Sequence, residues 1–166
     1  MKAEKCQLIN RVIKIARSAI VASLSCISVL SYGQHKSVIY LELLGNGRFY
    51  SVNYDTRFLA DRNTGWGARI GVSMYTIPET EYVITMPLLI NYMRGNNGHY
   101  LEAGFGTVFK AVVDNTFFNV GGTISLGYRW QPPDKKILLK VNWTPILSSD
   151  LFAPYWGGMS IGWQLN

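Results

Sequence analysis

Tyr-Ser-Val-Asn-Tyr-Asp-Thr-Arg-Phe, residues 50–58, alternates strictly between two kinds of side chain. Tyr50, Val52, Tyr54, Thr56 and Phe58 fall on one set of positions; Ser51, Asn53, Asp55 and Arg57 fall on the other. A period of two over nine residues predicts a β-strand with an apolar and a polar face. In a water-soluble sheet the polar face meets solvent. In a membrane barrel the apolar face meets lipid and the polar face lines the lumen. The surrounding sequence decides between the two.

Upstream, residues 1–33 read as a cleaved signal peptide. Lys2, Lys5, Arg11, Lys14 and Arg17 form a positive start, residues 18–30 an apolar run, and Ser31 and Gly33 supply small side chains before Gln34. The run is shorter than the roughly 20 residues of a membrane-spanning helix. Its removal takes five basic residues and one acidic residue, so the formal charge falls from +6 to +2. The basic balance is therefore a targeting feature and no argument for nucleic acid. Cys6 and Cys26 leave with it, which excludes disulfides, thiolate metal sites and cysteine nucleophiles from the exported chain. Residues 34–166 make one domain.

Downstream no helical period is sustained. Eight runs recur, separated by turn signals: 37–45, 48–59, 66–76, 81–94, 99–112, 117–131, 135–146 and 155–165. The first turn, Gly45-Asn46-Gly47, is a tight-hairpin signal. Residues 147–154 form the longest connection. An even number of strands, each about the 9 to 11 residues that cross a bilayer, with no helix to cover them, predicts closure, because closure removes the exposed edges. The expected fold is all-β: a closed eight-stranded antiparallel up-and-down transmembrane β-barrel.

Alternation orients most of the runs. Trp66, Ala68, Ile70, Val72 and Met74 oppose Gly67, Arg69, Gly71, Ser73 and Tyr75. Residues 82–92 are nearly apolar on both faces, so periodicity does not orient the fourth run. Two features place lipid outside. Aromatics of the apolar face cluster at strand ends: Tyr50, Phe58, Trp66, Tyr82, Tyr92, Tyr128, Trp130, Tyr155 and Trp163, with aliphatic residues between them. This is the layout of two interfacial girdles. The polar face is rich in Gly, Ser, Thr and Asn, and charged residues are only 16% of the chain, unlike a solvated surface. The polar face also carries Glu42, Asp55, Glu102, Arg57, Arg69, Arg129 and Lys140. Eight strands leave a lumen that side chains can fill, and buried charges there must pair. These seven are expected to form a plug of ion pairs and hydrogen bonds; a gated ion path or a ligand site is the functional alternative.

Residues for chemistry are sparse. His35 adjoins the cleavage site, and alternation sets His99 on the face opposite Glu102, so no Ser-His-Glu trio assembles. No cofactor or transition-metal set is expected. Arginines and aromatics interleave on opposite faces, which builds no nucleic-acid platform.

The signal peptide, residues 50–58, Ser125-Leu126-Gly127-Tyr128-Arg129-Trp130 and Ser160-Ile161-Gly162-Trp163-Gln164-Leu165 together resemble the small eight-stranded outer-membrane barrels of Gram-negative bacteria, the OmpA/OmpX-like superfamily. The segments 87–92 and 99–106 are similar to uncharacterised barrels of that kind. Where the family's last strand ends in an aromatic residue, this chain ends Leu165-Asn166. The resemblance implies an outer-membrane location, outer-membrane lipid and the barrel-assembly machinery as partners, a monomer, and a structural or interaction role. With the N-terminus periplasmic, 45–47, 76–80, 113–116 and 147–154 would face outward. A lipid A- or phospholipid-modifying barrel enzyme and a soluble lipocalin-like carrier with an apolar interior are the alternatives.

Overall fold

In the computed structural model of the chain, residues 35–60, 62–77, 81–112, 117–147 and 152–165 are described. The leader, Gln34 and the expected connections around Asp61, Pro78-Glu79 and Asp114-Asn115 lie outside them.

The described chain is strand throughout, apart from turns. Six long strands come first: β1 (His35–Leu44), β2 (Tyr50–Ala60), β3 (Gly65–Ile77), β4 (Glu81–Asn96), β5 (His99–Val112) and β6 (Phe117–Trp130). The rest of the wall is β7 (Ile137–Trp143), β8 (Ile146–Leu147), β9 (Phe152–Ala153) and β10 (Gly157–Gln164). Sequential strands pair antiparallel. β10 then pairs with β1, from Val38 opposite Gln164 to Leu44 opposite Gly158. The sheet is thus a closed antiparallel barrel whose wall is eight strands thick in circumference, β7 with β8 forming the seventh and β9 with β10 the eighth.

Two breaks in that wall have local causes. β7 and β8 share one register against β6 but are separated by Thr144 and Pro145. Proline has no N–H to give the ladder. β9 pairs with β8 while β10 pairs with β7, with Pro154 and Tyr155 in a turn between them. The expected eighth run, 155–165, therefore starts two residues too early. Tyr155 is not on a strand but stands 96% exposed in the turn. The long 147–154 connection is correspondingly shortened, because β8 and β9 close a hairpin within it.

The inside–outside pattern is the inverse of a soluble sheet. Outward residues such as Leu41, Val72, Leu101 and Val141 are exposed, Leu101 to 69%. Inward residues are buried and mostly polar. The fourth strand is oriented by its neighbours: Val83, Thr85, Leu89, Asn91 and Met93 point in, and Tyr82, Ile84, Met86, Leu88, Ile90 and Tyr92 point out. Among the described residues the inside holds two small apolar clusters, Val38–Tyr40–Leu138 and Tyr75–Val83–Val112. The termini of the barrel, the start of β1 and the end of β10, share one end, called here the terminal end; β1 hands over to β2 at the far end.

Candidate functional site

All seven inward charges are within a few per cent of full burial, and they fall into two linked groups. Toward the terminal end, the Asp55 carboxylate accepts from Arg57 Nη2, from Asn91 Nδ2 at 2.7 Å and from Arg129 Nη1 at 3.3 Å. Glu102 accepts from the same Arg129 nitrogen at 3.1 Å and from Lys140 Nζ at 2.5 Å. Arg57 also donates to Asn91 Oδ1 at 2.7 Å. Arg129 Nε donates to Gln131 Oε1 at 2.9 Å, and Gln131 passes the chain on to Gln164 at 2.8 Å. The second group centres on Glu42, which accepts from Arg69 Nη2, from Ser51 Oγ at 3.2 Å and from Asn142 Nδ2 at 3.2 Å. Arg69 Nε donates to Asn53 Oδ1 at 2.9 Å.

Tyr40 joins the groups. Its ring lies under the Arg69 guanidinium at 5.4 Å and the Lys140 ammonium at 5.6 Å, the arrangement in which a ring face attracts cations. The ring has room because its partner across the β1–β10 seam is Gly162, where a Cβ would overlap the Tyr40 Cβ. Arranged in this way, three carboxylates and four cations close the bore. Each ionic group has a counter-charge, which an isolated group buried at this depth would lack at a cost of several kcal/mol.

The β1–β2 connection adds a cork. Gly45-Asn46-Gly47 forms a 3-10 turn whose three residues are all buried. The turn lies at the end opposite the termini, as expected, and folds down into the far mouth instead of standing clear of it as a plain tight hairpin. Trp156 Nε1 donates to Gly45 O at 2.9 Å, Thr123 Oγ1 to Asn46 Oδ1 at 2.7 Å, and Ser73 Oγ to Gly47 O at 3.1 Å. Those anchors come from three separate strands or turns, so the turn is held from all sides. Its flanks are strained: Leu44 and Arg48 have φ of 61° and 74° with ψ of −136° and −64°, sparsely populated conformations that cost about 1–3 kcal/mol each. A two-residue hairpin signal is a local property, whereas these anchors come from β3, β6 and the segment before β10. That is why sequence spacing misses the cork. Gly45 itself has φ +66°, and a Cβ there would meet the Glu42 carboxyl carbon at 2.5 Å. Gly45→Ala is expected to destabilise the barrel by more than about 1 kcal/mol, read as a lower urea midpoint of unfolding.

The expected aromatic residues lie on the outer surface at both ends. Tyr50 and Tyr82 sit at the far end; Phe58, Trp66, Tyr92, Tyr128, Trp130 and Trp163 sit at the terminal end. Trp66 and Tyr92, paired across β3 and β4, meet edge-on at 5.2 Å. Phe118, also exposed on the outer face, stands at the far end of β6, the end that carries Tyr50 and Tyr82. His99 is exposed and its Nδ1 lies 2.5 Å from the Tyr128 hydroxyl, away from Glu102. Among the described residues no group of His, Cys, Asp and Glu is placed to hold a metal.

Fold and site together define a class: a closed eight-stranded antiparallel β-barrel, apolar outside, with a charge-filled bore. No protein-family model, curated protein or solved structure matches the chain.

Proposed function

We propose that this chain is an outer-membrane β-barrel protein of Gram-negative type, related to the OmpA/OmpX-like barrels. In this reading it is exported behind residues 1–33 and has a structural or interaction role, with lipid around its wall. The observation that carries the reading is the inverted polarity of the wall. A water-soluble barrel gains stability by hiding apolar side chains. Here Ile39, Leu41, Val52, Val72, Leu88, Ile90, Leu101 and Val141 are exposed, and Glu42, Asp55, Arg57, Arg69, Glu102, Arg129 and Lys140 are hidden. Hydrocarbon is the solvent that suits such a surface, and closure of the sheet leaves no backbone edge to satisfy. The terminal aromatic rings suit the two interfaces.

The plugged bore supports a role other than conduction. Buried ion pairs flank Tyr40 within the bore, and the buried 45–47 turn sits in the far mouth. The interior is also wrong for a lipid carrier of the lipocalin kind, whose cavity must be apolar. Fractionation and heat-modifiability test the reading. The detergent-extracted protein is expected in the outer-membrane fraction and is expected to migrate differently on a denaturing gel before and after boiling. Recovery in the soluble periplasm, with one mobility throughout, would sink it.

A further inference from the structure

On the outside of the barrel a furrow of about 560 Å³ crosses the seam side of the wall, within the range of about 300–1,000 Å³ typical of ligand sites. Register shows how it is built. Leu41, Ile161, Leu139 and Trp130 are successive partners across β1, β10, β7 and β6, and the same row continues to His99 on β5. The row beside it runs Leu43, Met159, Val141 and Tyr128, then Leu101 and Arg94 on β5 and β4. The furrow lies between two ridges that run across the strands. Because strands tilt in a closed barrel, such ridges climb the wall diagonally, from Leu43 near the far end to Arg94 and His99 at the terminal end.

The two ends differ in chemistry. The furrow itself is aliphatic and aromatic. Beyond its β6 edge the same two rows turn polar and basic: on β5 one meets His99, whose ring nitrogen hydrogen-bonds the Tyr128 hydroxyl, and on β4 the other ends in Arg94. Arg94 and His99 are diagonal neighbours on the outer face of β4 and β5, a spacing of about 7–8 Å that long side chains bridge. Arg94 is exposed, and no described carboxylate pairs with it. The surrounding rim adds Arg62, Lys135 and Lys136, all exposed, against Asp134. From β1 to β6 the furrow spans three strand spacings, about 14 Å at about 4.8 Å each.

We propose that this furrow binds one anionic phospholipid of the terminal-end leaflet, with one acyl chain between the two rows and its phosphate between Arg94 and His99. The site rests on the membrane reading above. Arginine suits the phosphate because its fork of donors matches phosphate oxygens, and the basic rim favours a headgroup with net negative charge. A second copy of this chain would instead meet like charge on like charge at this rim.

The full-length mature barrel is refolded first into phosphatidylcholine vesicles, and protease protection is read. Failure to insert removes the membrane reading and this site with it. It is then refolded into mixed phosphatidylcholine–phosphatidylglycerol vesicles, extracted, and its retained lipid counted by native mass spectrometry. Phosphatidylglycerol enriched above its bulk share is the expected result. Arg94→Gln should cut the retained amount by about fivefold, the contribution of one basic residue at a membrane surface. Met159→Trp, which fills the furrow and leaves the rim intact, should reduce it as well; Lys36→Gln, on the rim away from this corner, should not. Insertion with no enrichment leaves the membrane reading standing and overturns the site. So does retention unchanged in both Arg94→Gln and Met159→Trp. Displacement of the lipid by inorganic phosphate would show a rim that binds phosphate without the furrow, and would likewise overturn it.

Discussion

Replacing Glu102 with glutamine is expected to destabilise the barrel by about 3–5 kcal/mol, the penalty for leaving one partner of a buried ion pair unmatched. Glu102 holds Lys140 at 2.5 Å and Arg129 at 3.1 Å. Arg129 keeps Asp55 when Glu102 is neutralised, at 3.3 Å. Lys140 keeps no carboxylate, and its side chain is fully buried. The penalty therefore falls mainly on the lysine. That gives the prediction a second arm: adding Lys140→Met to Glu102→Gln should restore much of the loss, because removing both members of a buried pair is often close to neutral. Urea titration in detergent micelles, followed by tryptophan emission, reads both. A Glu102→Gln barrel as stable as the wild type would mean that the bore is not held by its charges.

The second large effect is expected on the opposite face. Val52→Arg should cost about 2–4 kcal/mol if the residue lies near the bilayer midplane. Val52 points outward between Leu41 on β1 and Val72 on β3, and is 44% exposed. In water an arginine at such a position would be harmless, since exposed polar substitutions rarely move stability by more than about 0.5 kcal/mol. The experiment thus separates the two solvents by the size of the loss. Reduced refolding yield into vesicles, with the boiled and unboiled forms comigrating, is the expected outcome; assembly equal to wild type would show that this face does not meet lipid.

Much of this architecture is legible in residues 50–58, because one strand with unlike faces states the polarity of the whole wall. Side-chain alternation is local and strict, so β2, β3, β6 and β7 reveal their inward residues directly. β4 does not, because Val83, Leu89 and Met93 fill the bore with apolar side chains where its neighbours use polar ones. Its orientation is fixed only by pairing with β3 and β5. The inward charges are legible as a set, but their partnerships are not. Asn91 bridges Asp55, Arg57 and Glu102 from a strand whose facing was ambiguous, and Tyr40 reads as one more apolar strand residue until the curvature of the wall brings Arg69 and Lys140 over it. The cork is invisible for a related reason: Asn-Gly specifies a reversal of the chain, and the direction in which that reversal leans is decided by Trp156, Thr123 and Ser73.

The way the bore is wired also bears on the order of assembly. Asn142 reaches Glu42 across a sequence separation of 100 residues, Arg129 reaches Asp55 across 74, and Lys140 reaches Glu102 across 38. A growing sheet that has laid down β1 to β4 holds Glu42, Asp55, Arg57 and Arg69 but lacks Arg129, Lys140 and Asn142. Moving that open sheet into hydrocarbon would strip water from a half-built network and from two bare edges. These long-range bonds form only when β6 and β7 are brought over β1, β2 and β5, so completing the bore and sealing the β1–β10 seam are expected to be coupled late steps, slowed by the closure of the longest loop in the molecule.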